Sequence, residues 1–521
     1  MAATTATKSK KNNSVIEKYS PVDGRHLGTF AITTKEEAEA AVAQAREAFP
    51  RWKALSHDER FRYLDRVRDI FERDGEKMAK IISEDTGKPL VDSLMTELVS
   101  IPLFLDYYKK TAPKVLKRKR LRPQLLFPGK ASYVEYFPMG VIAVISPWNF
   151  PMQLAMVPVL SALIAGNTVV LKPSEVTPLT GELIAEIFKE AGLPQGVVQV
   201  LQGDGSTGAA LTSCDVDKIF FTGSVMTGRK VMEAAAKKPI PVELELGGKD
   251  AMIVCHDANI ERAARAAVWG GFINCGQMCI SVERLFVVAS IYDEFIARVR
   301  EEIEAMTVGG PDENADMGPL IFGNQIDTVE KHLDDARKRG ANIALGGNRK
   351  EGAGQFFEPT LILDVTEEME IYREETFGPV LPVIKVHSEE EAIEMANNHQ
   401  YGLTGSVWTN DTSRGLELAS RLECGQASVN DVVLSVGNPI LPFGGVKNSG
   451  FGRYHGPEGL YSFTHQKSLM VASGLFDVEP FWFPYRQKYP DMLGVFKGIT
   501  SGNLFKIGKN FLSLIKATKN R

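Results

Sequence analysis

Residues 141–175 read VIAVISPWNFPMQLAMVPVLSALIAGNTVVLKPSE. Two short runs rich in β-branched residues, 141–145 and 168–171, are separated by a longer helical stretch, the texture of a βαβ unit whose sheet is covered on both faces. The alternation continues to residue 246, where 197–201, 218–221 and 242–246 supply three more strand-like runs with helical segments between them. One of those helices is well marked: Thr177 can cap it, Pro178 suits its first turn and Gly192 can end it. The expected fold class is α/β, with a Rossmann-like nucleotide domain at its centre.

Outward from this block the texture changes. Before it, 34–100 carries Ala-, Glu- and Arg-rich stretches whose apolar residues recur every three or four positions, as amphipathic surface helices require. The run KVLKRKRLR at 114–122 is either a solvated strand edge or inter-domain link, or a localisation signal for an anionic partner. After it, 247–447 reads as a second α/β stretch, with a helix over 259–272, a strand over 284–289 and another helix over 389–398. Residues 1–14 are polar and basic without a secretory apolar core, and read as a disordered leader or an organelle-targeting segment.

Bulk properties bound the function. A chain of 521 residues calls for two or three domains. Apolar residues make up 44% and charged ones 24%, and no uninterrupted apolar tract is long enough to span a bilayer. A net charge of −5 argues against a general nucleic-acid binder. Five cysteines, an odd and sparse set, suit reduced thiols in a cytosol-like compartment.

Several residues could do chemistry. Cys279, in GGFINCGQMCIS, sits where a loop can expose a thiol, and reads equally as a nucleophile or a packed, inert cysteine. Cys275, four residues earlier, lacks the spacing of a catalytic pair and reads as packing. Glu245 ends the strand-like VELEL and would share a face with Glu243, so the two mark either a site or a solvated edge. Asn149, in SPWNFP, could donate to a developing oxyanion or serve turn chemistry alone.

Beyond the run TVVL stand Lys172 and Glu175, and an acid there can accept from ribose hydroxyls while repelling a 2′-phosphate, which favours NAD over NADP. After KIFF, Gly223 and Ser224 lie where a helix begins and its N–H groups can meet a diphosphate. No GxGxxG pattern marks the place.

Taken in order, PWNFP, KPSE, FTGS followed by Gly228, ELGGK, FxNxGQxC, EETFGP and PFGGxKxSGxGR closely resemble the aldehyde dehydrogenase superfamily over about 19–468. The resemblance implies that Cys279 is the nucleophile, Glu245 the general base, and Asn149 the oxyanion donor together with the Cys279 N–H. Cofactor contacts are implied for Lys172, Glu175, Gly223, Ser224, Gly228 and Trp148, with Glu375 and Phe377 at the nicotinamide ribose. Phe443 is similar to an aromatic that borders the substrate pocket. NAD is the expected cofactor with NADP as the alternative, and no metal enters the scheme.

The resemblance also implies a three-part subunit. A leader over 1–16 precedes a cofactor domain of 17–119 and 139–246. Oligomerisation strands follow over 120–138 and 461–474, a catalytic domain over 247–460, and a tail over 475–521. A homodimer or tetramer is expected, in the cytoplasm. The tail resembles the fatty-aldehyde branch, whose C-terminal helix covers the substrate tunnel and docks to membranes; Leu504, Ile507, Phe511, Leu514 and Ile515 can share a helical face, leaving Lys506, Lys509, Lys516 and Lys519 to water or headgroups. Peripheral membrane contact through 497–521 or packing on a second subunit are the two readings of it. The implied reaction is oxidation of a medium- or long-chain aliphatic or aromatic aldehyde through a Cys279 thioester hydrolysed with Glu245. Coenzyme A acylation and a catalytically silent membrane-associated relative are the competing functions.

Overall fold

The computed structural model describes residues 14–124, 126–474 and 478–519. Most of the expected leader therefore lies outside the described residues. Its last two positions do not belong to a leader, because Val15 opens the strand Val15–Tyr19 and pairs with Ala31 of His26–Ala31.

One compact unit comprises 1–117 and 136–465. Its first sheet is built from β1 (Val141–Ile145), β2 (Thr168–Lys172), β3 (Val198–Val200), β4 (Lys218–Thr222) and β5 (Val242–Glu245). They lie parallel in the order β5-β4-β1-β2-β3, with Val141 opposite Thr168 and Ile142 opposite Lys218. Strand order thus reverses at β1, which puts the switch point between the carboxyl ends of β1 and β4, where such sheets bind ligands. The helix Gln153–Ala165 is buried on every side, so the sequence QLAMVPVLSALIA carries no polar face at all. The helix Pro178–Glu190 begins at Pro178 as expected, but the Thr177 side chain makes no cap bond. Its hydroxyl is instead buried without a partner.

The second sheet contains β6 (Asp250–Val254), β7 (Val282–Val288), β8 (Asn342–Leu345), β9 (Thr360–Leu363), β10 (Val380–Val386), β11 (Thr404–Trp408) and β12 (Gln426–Val429). Its order is β8-β9-β10-β7-β6-β11-β12, parallel except where β8 meets β9. The strand expected at 284–289 starts two residues earlier, which places Glu283 inside it. The chain then returns to the first sheet: β13 (Gly450–Phe451) pairs antiparallel with β5. Gly450 has φ of +110° and lies against the Leu244 carbonyl, so no side chain fits there.

The second compact unit comprises 118–135 and 466–521. A three-stranded sheet is ordered Thr464–Ala472, Lys130–Pro138, Lys119–Arg120. The basic run therefore supplies a solvated edge strand, with Arg118 paired to Glu135 at 2.6 Å. Helices Tyr489–Thr500 and Leu504–Lys519 pack through Val495, Ile507, Phe511 and Leu514. Most of the expected apolar face is thus consumed within the unit, whereas Leu504 is 67% exposed. Among the described residues no helix is long and apolar enough to cross a membrane.

Candidate active site

Carboxyl ends of the first sheet meet amino ends of the second. The segments after β1, β4 and β5 carry Asn149, Ser224 and the ELGGK turn, while those before β6, β7 and β10 carry Lys249, Cys279 and Glu375. Neighbouring parallel strands put like ends on one edge, so residues far apart in sequence converge. The junction is tight. Gly248 lies against the Cys279 carbonyl with no room for a Cβ, and its N–H donates to Glu375 Oε1 at 3.0 Å.

The thiol is presented by an irregular loop. After the helix Ile260–Phe272, three successive residues, Asn274, Cys275 and Gly276, take positive φ of 52°, 59° and 69°. Gln277 holds the turn by donating to Asn274 O at 2.8 Å and accepting from Ile321 N at 2.8 Å. Cys275 ends up buried, as expected of a packing residue, while Cys279 is half-buried. Burial, then the carboxylates of Glu375, Asp250 and Glu245, push the Cys279 thiol well above its usual range.

Asn149 is buried beside this loop, and its Nδ2 donates to Gln277 O at 3.1 Å, leaving one amide hydrogen uncommitted. Its own carbonyl accepts from Asn274 Nδ2 at 3.0 Å and Lys88 Nζ at 2.9 Å. Lys88 is paired in turn with buried Glu97 at 2.6 Å, and Glu97 accepts from Met152 N and Gln153 N. A buried ion pair contributed by the N-terminal helical region thus fixes the Asn149 segment. Sequence reading missed it, because nothing in the TGKP run at 86–89 points to a distant loop.

Glu245 and Glu243 do share a face, but it is not solvated: their exposures are 3% and 1%. The returning segment that carries Gly444 and Gly452 lies against both side chains and overrides the strand's alternation. Glu243 is paired with Lys218 at 2.6 Å, whereas neither oxygen of Glu245 has a hydrogen-bond partner. Burial, and secondarily Glu243, raise the Glu245 carboxyl well above the ordinary range, and Arg453 opposes them.

The remaining expected residues lie along the same edge. Lys172 is buried at the end of β2, with Nζ 2.8 Å from Glu175. Ser224 caps the helix Val225–Ala236, accepting from Thr227 N at 3.3 Å, and Gly228 packs closely on Leu246. Gly223 N donates to Glu245 O at 3.0 Å, tying this helix start to the end of β5. The Trp148 ring meets Phe377 edge-on at 5.4 Å, and Phe377 has φ of +53°. A helix N-terminus, a carboxylate beside a lysine, and an aromatic pair form a set that fits a dinucleotide. Phe443 is buried, bridged to Tyr454, with their rings 5.5 Å apart.

A second residue escaped sequence reading. Glu283 is buried in β7, paired with Lys249 and bonded to the backbone of the Glu375 loop. The signal was present, since an acid and a base, Glu283 and Arg284, stand near the start of the otherwise apolar strand VERLFVV.

Comparison with known proteins shows the family. A model described as the aldehyde dehydrogenase family matches residues 7–469. A 4,4′-diapolycopene aldehyde oxidase from Methylomonas sp is 42% identical over 90% of this chain and 88% of its own. A relative from Mycolicibacterium smegmatis, provisionally named succinate-semialdehyde dehydrogenase [NADP(+)], is 39% identical over 88% of each chain. Among solved structures, an aldehyde dehydrogenase of Mycobacterium tuberculosis complexed with NAD+ superimposes with a TM-score of 0.85 at 37% identity, covering 89% of this chain and 96% of that one.

Proposed function

The chain belongs to the aldehyde dehydrogenase family, and on that premise we propose that it oxidises a long apolar aldehyde to the acid through a thioester on Cys279, hydrolysed by water that Glu245 activates. The observation that carries this reading is a half-buried thiol within the electrostatic reach of a buried carboxyl that no hydrogen bond occupies.

The steps follow from the residues. Cys279 Sγ bonds to the aldehyde carbon as its proton passes to solvent water, and the carbonyl π electrons move onto oxygen, which becomes an oxyanion. The uncommitted Nδ2–H of Asn149 and the Cys279 N–H receive that charge. A nicotinamide cofactor, when bound, supplies the hydride acceptor for the oxidation. Lys172, Glu175, Gly223, Ser224 and Gly228 hold its adenosine and diphosphate side, and Trp148, Glu375 and Phe377 its nicotinamide side. Glu245, once ionised, takes a proton from water as the new C–O bond forms; the C–S bond breaks and the acid departs. A base with a raised pKa is strong enough to do this. The free carboxyl favours hydrolysis over transfer to coenzyme A.

Glu175 supports NAD as the preferred cofactor, and the NADP(+) named for the mycobacterial relative makes NADP the alternative. The substrate class rests on the carotenoid aldehyde named for the Methylomonas relative and on the exposed aromatics of the second unit, Phe481, Trp482, Phe483 and Tyr485. Those aromatics and the neighbouring lysines suit a cytoplasmic enzyme in peripheral contact with a membrane, with Phe443 at the substrate pocket and the strands of 120–138 and 461–474 joining subunits.

The test is single-turnover kinetics. Glu245→Gln is expected to give a full burst of NADH followed by slow turnover, and Cys279→Ala no NADH while NAD still binds. An unaltered steady state in either variant overturns the reading.

A further inference from the structure

Three buried Lys–Glu pairs surround the site, and Lys249–Glu283 has the least expected connections. Glu283 is the second residue of β7 and does not reach the thiol. Its Oε2 lies 2.5 Å from Lys249 Nζ and accepts from Thr376 N at 2.8 Å, while Oε1 accepts from Phe377 N at 2.9 Å. Two successive backbone N–H groups therefore converge on one carboxylate, an anion cradle at the turn where Phe377 takes a φ of +53°.

The loop is held from other sides as well. Lys249 Nζ also donates to Thr376 Oγ1 at 3.2 Å, and Gln325 Nε2 donates to Thr376 O at 2.6 Å. On its upstream side Glu375 accepts from Gly248 N, next to Lys249 in the chain. Glu283 thus joins the ELGGK turn to the turn that carries Glu375 and Phe377.

A buried ion pair is weak evidence for stability, since an apolar pair of the same shape often does as well. What this carboxylate supplies that an apolar residue cannot is a fixed place for two N–H groups. We propose that Glu283 is a positioning residue for the cofactor: by clamping residues 376 and 377 it sets where Glu375 and Phe377 stand, and so how tightly the nicotinamide end is held. This rests on the reading that Glu375 and Phe377 face the nicotinamide ribose.

The experiment measures NAD affinity of the full-length protein by titration calorimetry, beside KM for NAD, KM for aldehyde and the rate at which iodoacetamide alkylates Cys279. Glu283→Gln, which leaves both N–H groups without an anionic acceptor and one of them facing a donor, is expected to weaken NAD binding about tenfold, with aldehyde KM and alkylation unchanged. Glu283→Asp keeps the charge and the lysine pair but withdraws the carboxylate from the loop, and shifts NAD affinity in the same direction. Glu375→Gln separates inference from premise: if it leaves NAD affinity unchanged, the placement of Glu375 fails and the proposal with it. If Glu375→Gln weakens binding while both Glu283 variants bind NAD like the parent, the clamp is overturned and the placement stands. Unfolding of both Glu283 variants, or equal losses in NAD affinity, aldehyde KM and alkylation, makes Glu283 a purely structural ion and overturns the proposal.

Discussion

Glu243 and Glu245 stand two residues apart on one strand and face the same buried layer, yet only Glu243 has a partner, Lys218 at 2.6 Å. The Lys218 ammonium compensates the Glu243 charge and leaves Glu245 as the carboxyl free to exchange protons. Burial is the larger cause of its raised pKa and Glu243 the smaller, with Arg453 opposing both. A raised acid is protonated, and idle as a base, until the pH passes its folded value. Thioester hydrolysis is therefore expected to rise with pH through that value. Replacing Glu243 by Gln removes a negative neighbour and leaves the Lys218 charge, so the midpoint of the deacylation profile is expected to move down by about one pH unit. A midpoint that stays or climbs would show that the Glu243 charge does not reach Glu245.

Asn149 has one amide hydrogen on Gln277 O and another free. Asn149→Ala removes the free donor and is expected to lower the acylation rate by about 10²- to 10³-fold, the usual cost of losing one oxyanion contact. NAD affinity stays as it is. The burst phase in stopped flow reports the effect directly, and a burst of normal rate would assign Asn149 to turn chemistry alone.

What sequence reading reached and what it missed divide along a physical line. β1, β2 and β4 were legible because parallel strands buried on both faces are runs of β-branched residues, such as Val141 to Ile145, that no amphipathic helix imitates. The roles proposed for Cys279, Glu245 and Asn149 could be read only from the set, since each carries a plausible inert role when taken alone. Burial of Glu243 and Glu245 was not legible, since alternation along VELEL describes one strand and the cover comes from others. Nor were Lys88–Glu97 and Lys249–Glu283, whose further bonds reach Asn149 and Thr376, 61 and 93 residues away. The tail shows the same limit: its helical period was readable, but not that Ile507, Phe511 and Leu514 would be spent on a neighbouring helix.

Glu175 is half-exposed at the end of β2 and held by buried Lys172. On the proposed placement of the adenosine ribose, its negative charge would meet a 2′-phosphate. Glu175→Gln is expected to raise KM for NAD several-fold and to lower KM for NADP, narrowing the preference by about tenfold or more. Parallel initial-rate series with the two cofactors measure this. If the variant keeps the parental ratio, the discrimination lies elsewhere.

The last prediction concerns the second unit. Phe481, Trp482, Phe483 and Tyr485 are exposed together, and Phe496, Ile499 and Phe505 are exposed on the paired helices with Lys497 and Lys509. Aromatics at an interface with lysines nearby favour the headgroup region of an anionic bilayer. The internal packing of Ile507, Phe511 and Leu514 matters here, because it leaves the aromatic segment and the outer helix faces, rather than the original apolar face, to meet lipid. Full-length protein is expected to co-sediment with phosphatidylserine-containing vesicles, less so as salt rises. Trp482→Ser combined with Phe483→Ser should reduce the bound fraction by about tenfold while activity on a short soluble aldehyde is retained. Unchanged sedimentation of the double variant would give this surface to a second protein chain instead, and chemical cross-linking without lipid would then reveal it.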